Sequence, residues 1–179
     1  MDSTHSPVDP AAHAAAEANA LLSQLNSHAA LLRLLAVLAE HGVADLLAAG
    51  ARTANELAVA ARLHADALHR VLRFVASFGF FAETPDGRFE LTPLAATLRS
   101  DVPGSIRDRL RLPWQDLLWR SYQQLPETLA SGRNAFELAH GRPMFEYLAD
   151  HPEINATFDR SMARVSQLEN PLVARAWPF

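Results

Sequence analysis

The stretch from Thr53 to Leu91 constrains the fold more tightly than any other part of the chain. Thr53-Ala54-Asn55-Glu56 has the Thr-x-x-Glu spacing of a capping box, which starts a helix at Thr53. That helix runs to about Ala60 and buries Leu57 and Ala58. A turn at Arg62 to His64 leads into a second helix, about Ala65 to Ser77, with Leu68, Val71, Leu72 and Val75 at helical spacing. Gly79 ends it. Two strand-like runs follow, Phe80 to Glu83 and Arg88 to Leu91, around Thr84-Pro85-Asp86-Gly87. Asp-Gly between such runs predicts a hairpin. Helix, turn, helix, hairpin is the order of a winged helix. Thr92-Pro93 then reads as an N-cap with proline at the first helical position, opening a helix over Leu94 to Arg99.

Upstream, Ala11 to Glu40 reads as one or two long helices. Leu21, Leu22, Leu25, Ala29 and Leu32 share one helical face; Leu31, Leu34, Leu35 and Leu38 share a rotated one. A helix apolar around so much of its circumference must be covered on several sides. A second copy of the chain would supply that cover, and so would a central position in a monomeric bundle. A short helix is expected over Val43 to Ala49, with Gly50 as its stop. Met1 to Pro10 is polar with two prolines, and residues 1–14 are expected to form a flexible tail.

Downstream, Trp114, Leu117, Leu118, Ser121, Tyr122, Leu125 and Leu129 fit one helix face ending at Gly132, with Pro126 bending or shortening the helix. Pro143 to Leu148 opens a short helix. Pro152 to about Leu168 forms another, with Ile154, Phe158, Met162 and Val165 on one stripe, broken at Asn170-Pro171.

Composition excludes several chemistries. All 16 basic side chains are arginine, so no lysine is present for a Schiff base or a Walker-type phosphate loop. There are no cysteines, which rules out disulfides and thiolate chemistry within the chain. With 49% apolar residues the chain can build a core. A net charge of −4 advertises no polyanion partner. Within the helix–turn–helix–hairpin, Arg52, Arg62, Arg70, Arg73 and Arg88 are balanced by Glu56, Asp66, Glu83, Asp86 and Glu90. Such balance suits a scaffold better than a DNA reader, because phosphate neutralisation dominates DNA affinity. The histidines show no His-Glu-x-x-His pattern and the carboxylates no pairing, so no metal ligand and no catalytic residue is assigned. No Gly-x-Gly turn and no alternating strand–helix pattern marks a nucleotide site. There is no basic segment followed by an apolar run, and no run of about 18 uncharged apolar residues. The expectation is a cytoplasmic chain with no membrane partner.

Taken in order, these segments resemble the N-terminal part of the small-molecule O-methyltransferases, in the branch that acts on polyketide and anthracycline-type natural products. The residues carrying the resemblance are Gly42-Val43-Ala44-Asp45-Leu46-Leu47, then Thr53 to Ala58, Leu68-His69-Arg70-Val71-Leu72-Arg73, Gly79-Phe80-Phe81, and Phe89 to Ala95. Gly141 to Leu148 and Phe158-Asp159-Arg160-Ser161-Met162 continue it. It covers roughly Ala20 to Phe179.

The resemblance implies a mainly α-helical chain. A winged-helix dimerisation domain with a small hairpin wing would occupy residues 15–100, and a helical acceptor lid residues 101–179. It implies a homodimer, an aromatic or polyketide-like acceptor, and S-adenosylmethionine as the family's methyl donor. By position, Trp114, Trp119, Met144, Phe145, Phe158 and Met162 match the acceptor lining, and Arg160 lies in the segment that approaches the donor. Family members continue beyond the segment matching Pro171 to Phe179 into a glycine-rich strand-loop and a Rossmann-like domain with the catalytic base. That domain is expected to be absent here, so this chain alone is expected to bind no S-adenosylmethionine and transfer no methyl group unless a separate donor-binding domain or chain completes it. The alternative is a stand-alone winged-helix regulator or a small-molecule-binding dimer.

Overall fold

A computed structural model describes residues 9–177. Asp9 caps the first helix by accepting from the Ala11 N–H at 3.0 Å, and Pro10 occupies its first turn. The helix, α1 (Pro10–Glu40), is continuous over 31 residues. Residues 10–14, expected in a flexible tail, are therefore helical; residues 1–8 lie outside the described residues. Burial on α1 begins only at Leu31 and takes in Leu35, Ala36, Leu38 and Ala39. Leu21, Leu22 and Leu25 remain more than half exposed. Contrary to the sequence expectation, α1 also has the length and apolarity of a membrane-crossing helix, with a mean hydropathy of 1.3 over 18 residues. Asn19, Ser23, Gln24, Asn26 and Ser27 interrupt that stretch, and its C-terminal end packs into protein.

After α2 (Val43–Leu46) the chain enters β1 (Arg52–Thr53), a strand the sequence reading missed. The expected capping box then forms in full. Thr53 Oγ1 accepts from the Glu56 N–H at 3.2 Å, and Glu56 Oε2 accepts from the Thr53 N–H at 2.6 Å. It opens α3 (Ala54–Ala61), which ends at Arg62 in the left-handed region at φ 56°. Then comes α4 (Ala65–Ala76), burying Leu68, Leu72 and Val75 as its spacing predicts.

The hairpin is shorter than expected. It comprises β2 (Ala82–Glu83) and β3 (Arg88–Glu90), joined through Gly87 at φ 76°. Phe80 and Phe81 stay outside the strand. Phe81 adopts φ 63° and is 1% exposed, because its ring turns into the core instead of following the ladder. β3 pairs antiparallel with both β1 and β2, giving the order β1-β3-β2. Arg88 fastens the outer strand by donating to the Ala51 carbonyl at 3.2 Å. Leu57, Leu72, Val75, Phe81, Phe89 and Leu98 fill the main core beneath this sheet.

Thr92 caps α5 (Pro93–Ala96), accepting from the Ala95 N–H at 3.1 Å. α6 (Arg107–Arg111) follows, then a 3-10 turn at Leu112–Trp114. The single helix expected from Trp114 to Leu129 is broken into α7 (Asp116–Tyr122) and α8 (Leu125–Ser131). Pro126 has no N–H to donate, so it takes a first-turn position and a new helix starts there. Leu117 is buried, whereas Leu125 and Leu129 on the expected stripe are exposed.

α9 (Ala135–His140), α10 (Met144–Ala149) and α11 (Pro152–Ala176) complete the chain. α11 does not break at Asn170-Pro171. Pro171 lies inside it, and the ladder resumes, with the Trp177 N–H donating to the Val173 carbonyl at 3.0 Å. A small second core holds Leu112, Leu117, Phe136 and Leu148. α6 joins the two halves by packing on both α1 and α11. Asp45 reinforces the joint, accepting from the Ser100 N–H at 2.7 Å and from Arg107 Nη1 at 2.8 Å.

Candidate functional site

Leu112-Pro113 forces the 3-10 turn that carries Trp114, and the first turns of α7 carry Trp119. The two indoles meet with centroids 5.2 Å apart, and Trp119 meets Tyr122 edge-on at 6.4 Å. Arg33 of α1 places its guanidinium 5.8 Å from the Trp114 ring centroid. Next to this cluster is a cavity of about 340 Å³ lined by Leu32, Ile106, Arg109, Leu110, Pro113 and Trp114. A volume in that range suits a small planar ligand. Of the six residues expected to line an acceptor pocket, it contains Trp114 alone.

The other expected residues form a separate group. Phe145 of α10 meets Phe158 of α11 edge-on at 6.4 Å and is 72% exposed. Met144 and Phe158 pack on the second core, and Met162 is 40% exposed. Arg160 is engaged within the chain: its Nε donates to Asp108 at 2.7 Å and its Nη2 to Thr157 at 3.1 Å.

A polar cavity of about 300 Å³ escaped the sequence reading. Its walls are Arg107, Asp108 and Arg111 of α6 and Arg160 and Arg164 of α11, with Ser100 and Ser105 completing the lining. A signal was available: Arg107/Arg111 and Arg160/Arg164 are both i, i+4 pairs, which puts two guanidiniums on one face of each helix. The long separation in sequence hid that the two faces meet.

The histidines carry local structural contacts. His140 Nε2 lies 3.1 Å from the Leu117 carbonyl, which requires the proton on that nitrogen, and the ring packs 4.3 Å from Phe136. His151 Nδ1 lies 2.7 Å from the Tyr147 carbonyl. On α4, His69 and Arg73 both lie against Glu83, at 3.4 and 3.3 Å, and Arg88 pairs with Glu56 and Asp86. Arg73 and Arg88 are thus already ion-paired where a DNA reader would need them free. Hydrogen bonds from Thr53 and Thr84, aided by Arg88, hold the Glu56 and Asp86 carboxyls below the usual carboxylate range.

The O-methyltransferase dimerisation domain matches residues 23–101. The phenazine O-methyltransferase PhzM of Lysobacter antibioticus is 37% identical over 145 residues, covering 81% of this chain and 42% of that protein. The crystal structure of LaPhzM aligns with a TM-score of 0.83 at 35% identity, over 90% of this chain and 48% of that one. An O-methyltransferase from neocarzinostatin biosynthesis, in complex with S-adenosylmethionine and 2-hydroxy-5-methyl naphthoic acid, aligns with a TM-score of 0.64 at 32% identity, over 76% and 42%. The chain spans about half the length of these relatives.

Proposed function

Because residues 23–101 form an O-methyltransferase dimerisation domain and the chain belongs with the N-terminal part of natural-product O-methyltransferases, we propose that it is the dimer-forming, acceptor-side portion of such an enzyme. α3, α4 and the three-stranded sheet make a winged helix that serves as scaffold. The helices after it, residues 101–177, cover and line the site of an aromatic or polyketide-like acceptor. The observation that carries this reading is the state of α1. Leu21, Leu22, Leu25 and Leu32 stay 48–57% exposed in one copy, in a segment that reaches into the matched dimerisation domain. A contiguous apolar face of that kind calls for a partner, and a second copy is the partner the domain implies.

S-adenosylmethionine would supply the methyl group in the assembled enzyme. The described residues do not fit it. Arg160, the residue expected to approach the donor, is held by Asp108 and Thr157, and the strands present are two or three residues long and antiparallel. This portion therefore contributes acceptor position and exclusion of water. The donor is held by the remainder of the enzyme.

Sedimentation of the purified chain tests the reading. The wild-type chain should sediment as a dimer at micromolar concentration, and the triple replacement of Leu21, Leu22 and Leu25 by Gln should sediment as a folded monomer. A wild-type monomer at that concentration would refute it. Tight binding of S-adenosylmethionine to this chain by calorimetry would refute the division between acceptor and donor sides.

A further inference from the structure

The arginine cavity between α6 and α11 holds more positive charge than its own carboxylates neutralise. Arg107 pairs with Asp45 at 2.8 Å, while Asp108 alone serves both Arg111 at 3.4 Å and Arg160 at 2.7 Å. Arg164 has no ion-pair partner among the described residues. Four guanidiniums thus meet two carboxylates. The Nε–H groups of Arg107 and Arg111 are buried without any hydrogen-bond partner. Ser105, 3% exposed, accepts from the Arg107 N–H at 3.3 Å and keeps its own hydroxyl proton free to donate. A planar fork of donors beside unmatched positive charge is the arrangement that recognises a carboxylate or phosphate.

The cavity also has a direction. A narrow cavity of about 40 Å³ shares Ser105 and Arg164 with it, and shares Ile106 and Arg109 with the 340 Å³ cavity beside Trp114. The three cavities therefore neighbour one another around α6 through shared wall residues, arginine-rich at one end and mostly apolar and aromatic at the other. A free phosphate ion would use only the first end.

We propose that the arginine cavity holds the carboxylate of an aromatic acid whose ring system extends past Ile106 and Arg109 toward Trp114. The inference deepens the acceptor-side reading given above and rests on it. In this arrangement Arg164 takes the carboxylate together with the unpartnered Nε–H groups of Arg107 and Arg111, Ser105 donates its hydroxyl proton, and Arg160 stays on Asp108. The apolar wall from Ile106 to Trp114 removes the ring from water.

Calorimetry of the chain with 2-naphthoate, 2-naphthol and inorganic phosphate tests this. Arg164 breaks no ion pair when replaced, so Arg164→Gln should keep its circular dichroism spectrum; Arg164→Lys retains the charge. The expected result is that 2-naphthoate binds at least about tenfold more tightly than 2-naphthol, and more weakly as salt rises. Arg164→Gln should lose about tenfold in naphthoate affinity and leave naphthol unchanged, with Arg164→Lys in between. Equal affinity for the acid and the alcohol, or no effect of Arg164→Gln, would overturn the carboxylate site while leaving the acceptor-side reading intact. Phosphate binding more tightly than naphthoate would overturn it in favour of a free oxyanion. Failure of both aromatic compounds to bind would overturn the acceptor-side reading as well.

Discussion

Thr53 and Arg62, the residues at the two ends of α3, show how local chemistry starts and stops a helix. Thr53 satisfies the Glu56 N–H, and Glu56 returns the favour to the Thr53 N–H. Thr53→Ala should therefore lower stability by about 1 kcal/mol in urea unfolding. The Thr53 backbone N–H, with its hydroxyl and Arg88, also lowers the Glu56 pKa in the folded chain. A carboxyl lowered on folding binds its proton more readily when unfolded, so stability falls as pH drops from the ordinary carboxylate range through the lower folded value. In Thr53→Ala that acid limb should be shallower, which stability curves between pH 6 and 3 would show; an unchanged limb would contradict the assignment. At the other end, exposed Arg62 holds a left-handed conformation that costs a residue with a Cβ. Arg62→Gly should raise stability by up to about 1 kcal/mol, read from the urea midpoint. The capping box was legible in the sequence because its partners sit three residues apart. Phe81 was not legible as a left-handed residue, because packing into the core forces that angle; Arg62 was not, because its local helix-ending turn, closed by the Leu63 N–H donating to the Ala58 carbonyl at 2.9 Å, carries no glycine.

At the scale of elements, α1 is two helices in function. Its C-terminal part is core: Leu35 is 2% exposed, and Leu35→Ala should cost about 2–5 kcal/mol of unfolding free energy. Its middle part is surface in one copy: Leu22 is 57% exposed, and Leu22→Ala should change the unfolding midpoint of dilute chain little while weakening self-association in sedimentation. Equal effects of the two substitutions on both measurements would contradict this division. The overlapping leucine faces already announced a helix needing cover on several sides; they could not say which end the chain covers itself. Proline was harder to read. Pro126 separates two helices because it can serve as a first-turn residue, whereas Pro171 is tolerated within α11, where flanking hydrogen bonds continue. β1 was invisible because two residues carry no periodicity; it exists because β3 offers it an edge.

For the whole molecule, the two cores are unequal, and that inequality sets which part can move. The main core joins sixteen buried residues from α1 to Leu98, and the second joins four. The half up to Leu98 was correspondingly legible, since its core is built from local motifs in sequence order. The helices after Leu98 were read only by position. Its aromatic residues were named, but their separation into a Trp114–Trp119 group and a Phe145–Phe158 group depends on how α7, α10 and α11 pack. The arginine cavity depends on the meeting of α6 and α11, which no local pattern encodes. Free energy of local opening follows buried contact, so the two halves should open separately. Amides of α3, α4 and the last turns of α1 should exchange with solvent only on global unfolding. Those of α7 to α10 should exchange faster, by on the order of tenfold or more, through opening of the second core alone. The Asp45–Arg107 pair and the Ser100 hydrogen bonds hold the halves together at α6. Arg107→Ala should therefore widen the gap, raising exchange in α7 to α11 while leaving α3 and α4 unchanged. Hydrogen exchange followed by mass spectrometry distinguishes the outcomes: uniform protection across both halves, or an equal response of both to Arg107→Ala, would mean that the chain opens as one unit. Separate opening would let an aromatic ligand of the proposed kind reach the cavities lined by α6, Trp114 and α11 without unfolding the half built on α1, α3 and α4.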